Sequence, residues 1–251
     1  MAKEKEIKEI IDKREDLSRF VVHLTRDDRK DNHGATAREN FEEILAERKI
    51  QAFNPHCIFN KWLDDLPRRI KGQFRVACFT EIPLHQLHLL IQPIKGRAIK
   101  LEPYGFVFYK EFVISKGAQP AIYINSYDRN LQLRNAVNEL FELAKVRGFK
   151  DNFHKLFPFL NAMHEKYDFT WEREWRIVKE LKFSFKDLVC VILPRDKEKG
   201  LRLKFARYGI PMIFPGLTYE EIIGILAVQQ RVTKKYWRRR KGSLSRAKKK
   251  V

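Results

Sequence analysis

Apolar positions along this chain change period several times, and each change predicts an element. Ile7, Ile10, Ile11 and Leu17 recur at roughly helical spacing among charges, which predicts an amphipathic helix over Lys3–Leu17. RFVVHLTR (Arg19–Arg26) reads as a buried strand, and DDRKDNHGAT after it as a polar loop. Thr36, with Glu39 three residues on, forms a capping-box signature. The helix it opens should turn Phe41, Ile44 and Leu45 inward. FRVACFTEIP (Phe74–Pro83) is a second strand, stopped by its proline, and LHQLHLLI a short helix. YGFVFYKEFVI (Tyr104–Ile114) predicts a strand followed by a helical turn, and PAIYIN (Pro120–Asn125) a further strand.

The second half follows the same logic. Asp128–Arg147 reads as a helix carrying Leu131, Val137, Leu140, Phe141 and Leu143, with another helical stretch over about Asp151–Glu165. WEREWRIV (Trp171–Val178) and DLVCVILP (Asp187–Pro194) read as consecutive strands. A helix around Asp196–Tyr208, the short strand PMIFPG and the helix TYEEIIGILAVQQ complete the chain before its tail. Strands and helices alternate unevenly. This is an α+β pattern with a mixed, mainly antiparallel sheet flanked by helices, not a regular βαβ series.

Charge changes the picture at one end. The 251 residues carry a formal charge of +19. Residues 231–251 hold 11 Lys and Arg and no acid, so the remainder carries only +8. We therefore expect one α+β domain over residues 1–230 and a disordered basic tail over 231–251. Within the tail, Lys234, Lys235, Trp237, Arg238, Arg239, Arg240 and Lys241 combine phosphate-neutralising charge with an aromatic ring that can stack on a base. Nucleic acid is the expected partner. A solvated arm or contact with anionic lipid are the other uses of such a tail. Cys57, Cys78 and Cys190 are scattered, which argues against a disulfide framework. The charged N-terminus does not read as a secretory signal, and no run of 18 apolar residues is present, so a cytoplasmic protein without a membrane span is expected.

Familiar signatures are absent: no GxGxxG after a strand, no GxxxxGK[ST], no HExxH and no GxSxG. His85 and His88 sit three apart on a short helix, but no further ligand completes a metal set, and none is expected. Three clusters could carry chemistry. On a continuous strand, Glu172, Glu174 and Arg176 would share one face and Trp171, Arg173 and Trp175 the other. Two carboxylates and a guanidinium suit a site that stabilises developing positive charge, or an ion-pair ladder at a sheet edge. His23 and Thr25 share a face of an otherwise apolar strand, where a satisfied core histidine is the plainer alternative. Tyr104, Phe106, Phe108, Tyr109 and Phe79 are core candidates, of which one tyrosine facing a cleft could instead stack on a ligand ring.

In order along the chain, FVVHLTR, NFEEILAERKI, VACFTEIPL, YGFVFYKEF, QPAIYI and EREWRI resemble the AbiGi family of abortive-infection, phage-resistance proteins. The resemblance covers about Phe20–Leu193 and implies a defence role, with a cognate toxin or antitoxin as a possible partner. The pattern of His23, Thr25, Asn40, Ile44 and Leu45 is also similar to the start of DarT-like ADP-ribosyltransferases. That second resemblance implies an NAD site. His23, Thr25, Tyr104, Tyr109, Phe79 and Arg176 would hold the dinucleotide. Glu174 would stabilise the positive charge left on ribose, and Glu172 would orient the acceptor. The chain departs from that pattern at Leu24, where a glycine is usual, and it has no clear equivalent of the downstream arginine.

Two other classes compete. Asp168, Glu180 and Lys182 form a loose D…ExK series of the kind that holds Mg²⁺ in nucleases. The basic charge alone also fits a non-enzymatic nucleic-acid-binding antitoxin or regulator.

Overall fold

The computed structural model describes residues 17–27, 34–53, 57–93, 100–127, 129, 131–164, 168 and 170–228. The expected helix at Lys3–Leu17 and the basic segment from Lys234 to Lys241 fall outside the described residues, apart from Leu17. The strands are β1 (Phe20–Arg26), β2 (Lys49–Gln51), β3 (Val76–Thr80), β4 (Leu101–Tyr109), β5 (Gln119–Pro120), β6 (Ile122–Asn125), β7 (Leu160–Met163), β8 (Glu174–Val178), β9 (Glu180–Lys182), β10 (Leu188–Ile192) and β11 (Met212–Ile213). Seven of them form one sheet in the order β11-β10-β4-β1-β3-β8-β5. Only β10 and β11 run parallel in it; every other neighbouring pair is antiparallel. Two small ladders, β2-β9 antiparallel and β6-β7 parallel, lie beside it. The fold is α+β with a mainly antiparallel mixed sheet flanked by helices.

The side-chain period of two explains how both faces of this sheet are buried. Val21 pairs with Phe108 and His23 with Phe106, so these residues share one face. That face packs on Phe41 and Leu45 of the helix Ala37–Glu47, with the Phe41 and Phe106 rings stacked at 4.6 Å. Phe41 and Phe106 are fully buried, each worth roughly 1.5–3 kcal/mol of apolar transfer. Val22, Leu24, Val107, Cys190 and Ile192 point the other way, onto Leu84, Leu87 and Leu90. A third cluster, around Phe59, Phe74, Phe141 and Phe157, joins the helix Gln132–Val146 to the β6-β7 ladder beyond β8.

Local chemistry fixes the details. Thr36 Oγ1 accepts from the Glu39 amide at 3.2 Å while the Glu39 carboxylate accepts from the Thr36 amide at 2.7 Å, closing the expected capping box. Thr218 and Glu221 repeat it at 3.2 and 2.8 Å, before the helix at residues 219–228. Gly105 lies opposite Leu24 and Ile192 in the middle of the sheet. A Cβ there would stand 2.6 Å from the His23 carbonyl oxygen and 2.8 Å from Leu24 Cδ2, so only glycine lets β1 and β4 close at this rung.

Four expectations need correction. The stretch at Asp151–Glu165 is not an α-helix: a 3-10 run covers Asn152–Phe159, and Leu160–Met163 is β7. Its apolar spacing suits a helix, but Pro158 cannot donate, and the chain opens into a strand that pairs with β6. The helix expected over Asp128–Arg147 begins only at Gln132. It buries Val137, Phe141 and Ala144, leaving Leu131, Leu140 and Leu143 exposed, since only one stripe can face the third cluster. PAIYIN divides between β5 and β6. WEREWRIV is broken at its middle, with consequences for the site.

Candidate functional site

The break falls at Arg173. Thr170–Glu172 form a 3-10 turn, Arg173 takes a left-handed φ of 45°, and β8 begins at Glu174. Glu172 is therefore not two strand positions before Glu174, and the continuous ladder of Glu172, Glu174 and Arg176 does not form. Glu174 and Arg176 do share a face, because both lie within β8. Arg176 Nη2 donates to Glu174 Oε2 at 2.7 Å. The Arg176 side chain is wholly buried and that of Glu174 is 13% exposed, so the pair sits at the rim of the interior with the carboxylate outward.

Packing elements hold the guanidinium from behind. Its Nη1 donates to the Pro158 carbonyl at 2.9 Å and to the Leu160 carbonyl at 3.5 Å, tying β8 to the 3-10 run and β7. Burial opposes the charge on Arg176, but the attraction of Glu174 prevails and holds its pKa above the ordinary value. The register adds neighbours on the same face: Thr80 pairs with Glu174 and Cys78 with Arg176. Burial, then the Glu174 charge, push the Cys78 thiol well up, so it stays protonated at neutral pH. Tyr123 of β6 is raised by the same two causes in the same order, so its phenol also stays protonated beside the carboxylate. The arrangement is one fixed carboxylate, a buried counter-cation, a neutral phenol and a hydroxyl. It can accept hydrogen bonds from ligand hydroxyls and place negative charge next to a developing cation.

The remaining residues expected at the site divide between places. His23 lies one strand away from β8, with β3 between, but its pairing with Phe106 and its ring contact to Phe79 at 5.7 Å put it on the opposite face of the sheet from Glu174. Its Nδ1 is 2.8 Å from the Cys78 carbonyl. A carbonyl only accepts, so Nδ1 carries the hydrogen and, in the neutral ring, Nε2 is the acceptor. Desolvation lowers the His23 pKa, against the hydrogen bond to Cys78. Thr25 is buried, and its hydroxyl contacts the Ala37 carbonyl at 2.7 Å and the Tyr104 carbonyl at 3.2 Å. Phe79 is buried in the core of that same face. The Tyr104 hydroxyl donates to Glu198 at 2.8 Å, and Arg38 approaches the other oxygen of Glu198 at 3.2 Å. Burial and Glu198 push the Tyr104 pKa up to about 12. Tyr109 sits at the far end of β4, about 17 Å along the strand, exposed and packed on Phe20 at 5.4 Å. Of the six residues expected to hold a dinucleotide, only Arg176 accompanies Glu174.

The members of the D…ExK series are engaged by different neighbours. Asp168 holds Thr170 through its amide at 3.0 Å and its hydroxyl at 2.6 Å, whereas Glu180 pairs with Lys182 at 2.9 Å on β9. No group of three or more His, Cys, Asp or Glu among the described residues is arranged to hold a metal ion. His88 Nδ1, in the α-helix Leu87–Ile91, is 3.1 Å from the carbonyl of His85 in the preceding 3-10 turn Leu84–Gln86. No helix among the described residues is long and apolar enough to cross a membrane.

Sequence reasoning missed Glu81, Lys110 and Glu198. Glu81 follows β3 directly and is buried, with Oε1 at 2.7 Å from Lys110 Nζ and Oε2 accepting from Trp175 Nε1 at 2.8 Å. The available signal was an acid set between a buried apolar strand and Pro83 in CFTEIP, a costly place for an unpaired charge.

The molecule thus belongs to the α+β class, with a carboxylate–guanidinium centre near one edge of its sheet. No protein-family model, curated protein or solved structure matches the chain.

Proposed function

We propose that this chain is a phage-defence protein of the AbiGi type that transfers ADP-ribose from NAD, with Glu174 as the catalytic carboxylate and nucleic acid as the acceptor or tether. The observation that carries this reading is the 2.7 Å Arg176–Glu174 pair, which fixes a partly exposed carboxylate near the start of a late strand, one strand removed from the first. NAD supplies the transferable ADP-ribosyl group. Glu174 opposes the positive charge that develops on ribose as nicotinamide leaves. Thr80 is its cross-strand neighbour, and the neutral phenol of Tyr123 takes the aromatic role expected of Tyr104, Tyr109 and Phe79. A binding role for His23 and Thr25 finds no support in the side they face. The tail, with Lys234, Lys235, Trp237, Arg238, Arg239, Arg240 and Lys241, raises the local concentration of polyanion.

The test is incubation of the full chain with labelled NAD and mixed DNA, RNA and protein. Label transfer that disappears in Glu174→Gln supports the reading. Activity that survives Glu174→Gln, or that EDTA abolishes, refutes it. The tail charge also favours a purely binding regulator. Phage protection retained in Glu174→Gln but lost on deleting residues 231–251 would establish that second reading instead.

A further inference from the structure

Glu174 is aimed by a backbone that ought not to hold its shape alone. Arg173 occupies the left-handed region, which is unfavourable for a residue with a side chain. Its conformation decides where Glu172 and Glu174 point, so neighbouring groups must over-determine it. The end of β3 does so. Thr80 Oγ1 donates to the Glu172 carbonyl, and the Glu81 amide donates to the Arg173 carbonyl at 3.2 Å. The next residue is then locked from its side chain: Trp175 Nε1 donates to Glu81 Oε2 at 2.8 Å. Lys110 Nζ binds Glu81 Oε1 at 2.7 Å and lies 5.9 Å from the centre of the Trp175 ring. On the outer side of β8, the Ala121 amide donates to the Glu174 carbonyl at 2.8 Å.

We infer that Glu81 is a positioning residue: with Lys110 and Trp175 it clamps the kink at Arg173 and so sets the orientation of Glu174 on the opposite face of the sheet. A buried carboxylate with both oxygens engaged by groups from two other segments is a rigid anchor. Trp175 and Glu174 are adjacent on one strand, so restraint on one face fixes the side chain on the other. The clamp shares no side chain with the Arg176 pair, so it can be removed separately. The inference bears on catalysis only through the transferase reading, while the geometry of the clamp stands apart from it.

The experiment compares the full chain with Glu81→Ala, Glu81→Gln and, as a comparably destabilised control at a buried position of the far sheet edge, Ile213→Ala. In a wild type that turns over NAD, Glu81→Ala should lower kcat by about tenfold or more with KM nearly unchanged. Glu81→Gln, which keeps an acceptor for the indole, should recover most of the rate. Ile213→Ala should leave the rate as it is. A Glu81→Ala variant with wild-type kcat overturns the inference and leaves the transferase reading intact. If the wild type does not turn over NAD, the transferase reading fails, and hydrogen exchange of the buried Arg176 Nε–H decides the clamp. Faster exchange in Glu81→Ala than in Ile213→Ala supports it, and equal exchange overturns it.

Discussion

Removing one member of the Arg176–Glu174 pair should cost more than removing any surface charge. Arg176 is wholly buried, so Glu174→Ala leaves a guanidinium inside without its counter-ion. Such a loss costs about 3–5 kcal/mol. The low end applies here, because Nη1 keeps the Pro158 carbonyl at 2.9 Å. Glu174→Gln retains an oxygen acceptor and should cost about 1–2 kcal/mol. Arg176→Met removes the charge but strands two carbonyls, at roughly 1–3 kcal/mol each. A charge-assisted hydrogen bond at 2.7 Å should then appear as a coupling of about 1.5–3 kcal/mol between Glu174→Gln and Arg176→Met. The assay is urea unfolding at pH 7, followed by circular dichroism, of five proteins: wild type, Glu174→Ala, Glu174→Gln, Arg176→Met and the Glu174→Gln/Arg176→Met double variant. In a chain of 251 residues, the Glu174→Ala loss corresponds to about 6–12 °C in Tm. A coupling below about 0.5 kcal/mol would refute the reasoning, because the pair would then be no stronger than an exposed one. The same arithmetic makes Glu174→Gln the cleaner probe of catalysis.

Other outcomes follow from single features. The folded His23 pKa lies below its ordinary value of 6.5, so on acidification the unfolded chain takes up this proton first. Stability from the neutral ring is therefore complete above about pH 6.5 and lost as pH falls from there toward the folded pKa; a His23→Gln variant should show a flatter Tm between pH 7.5 and 5, and an unchanged slope would sink the idea. Gly105→Ala should destabilise by about 1–3 kcal/mol, since its Cβ meets a backbone oxygen that cannot move alone; wild-type urea stability would show that β1 and β4 have slack. Deleting residues 231–251 removes 11 cationic side chains and should both weaken binding to single-stranded nucleic acid and flatten its salt dependence. Titrations at two salt concentrations read both, and an unaltered slope places the contacts elsewhere.

Much of the frame was legible because it rests on short-range chemistry. The Thr36–Glu39 box, the apolar run of β1 and the pair Phe41 and Leu45 are each set by neighbours within a turn or a strand. The missed pieces depend on distant partners. The LFPFLNAM segment has helical spacing, but its first half is a 3-10 run and its second half becomes β7, paired with β6. Nothing in EREWR announces that Arg173 turns left-handed: its amide bonds locally to the Thr170 carbonyl at 3.1 Å, but the other bonds at the turn come from Thr80 and Glu81, far off in sequence. The assignment of His23 and Glu174 to one site had no local basis either. Alternation places each residue relative to its own strand, and only the registers β1-β4, β1-β3 and β3-β8 reveal that the two face apart.

The ends of the large sheet bear on how the molecule meets others. One boundary strand, β5, is two residues long and contains Pro120, which has no amide hydrogen to offer; the other, β11, is also two residues long. Unpaired strand borders invite pairing with a second chain, and brevity and proline are means of refusing it. Neither border supplies a template for an incoming strand. Among the described residues, the borders of the large sheet therefore favour assembly through side chains and helices over backbone continuation of that sheet.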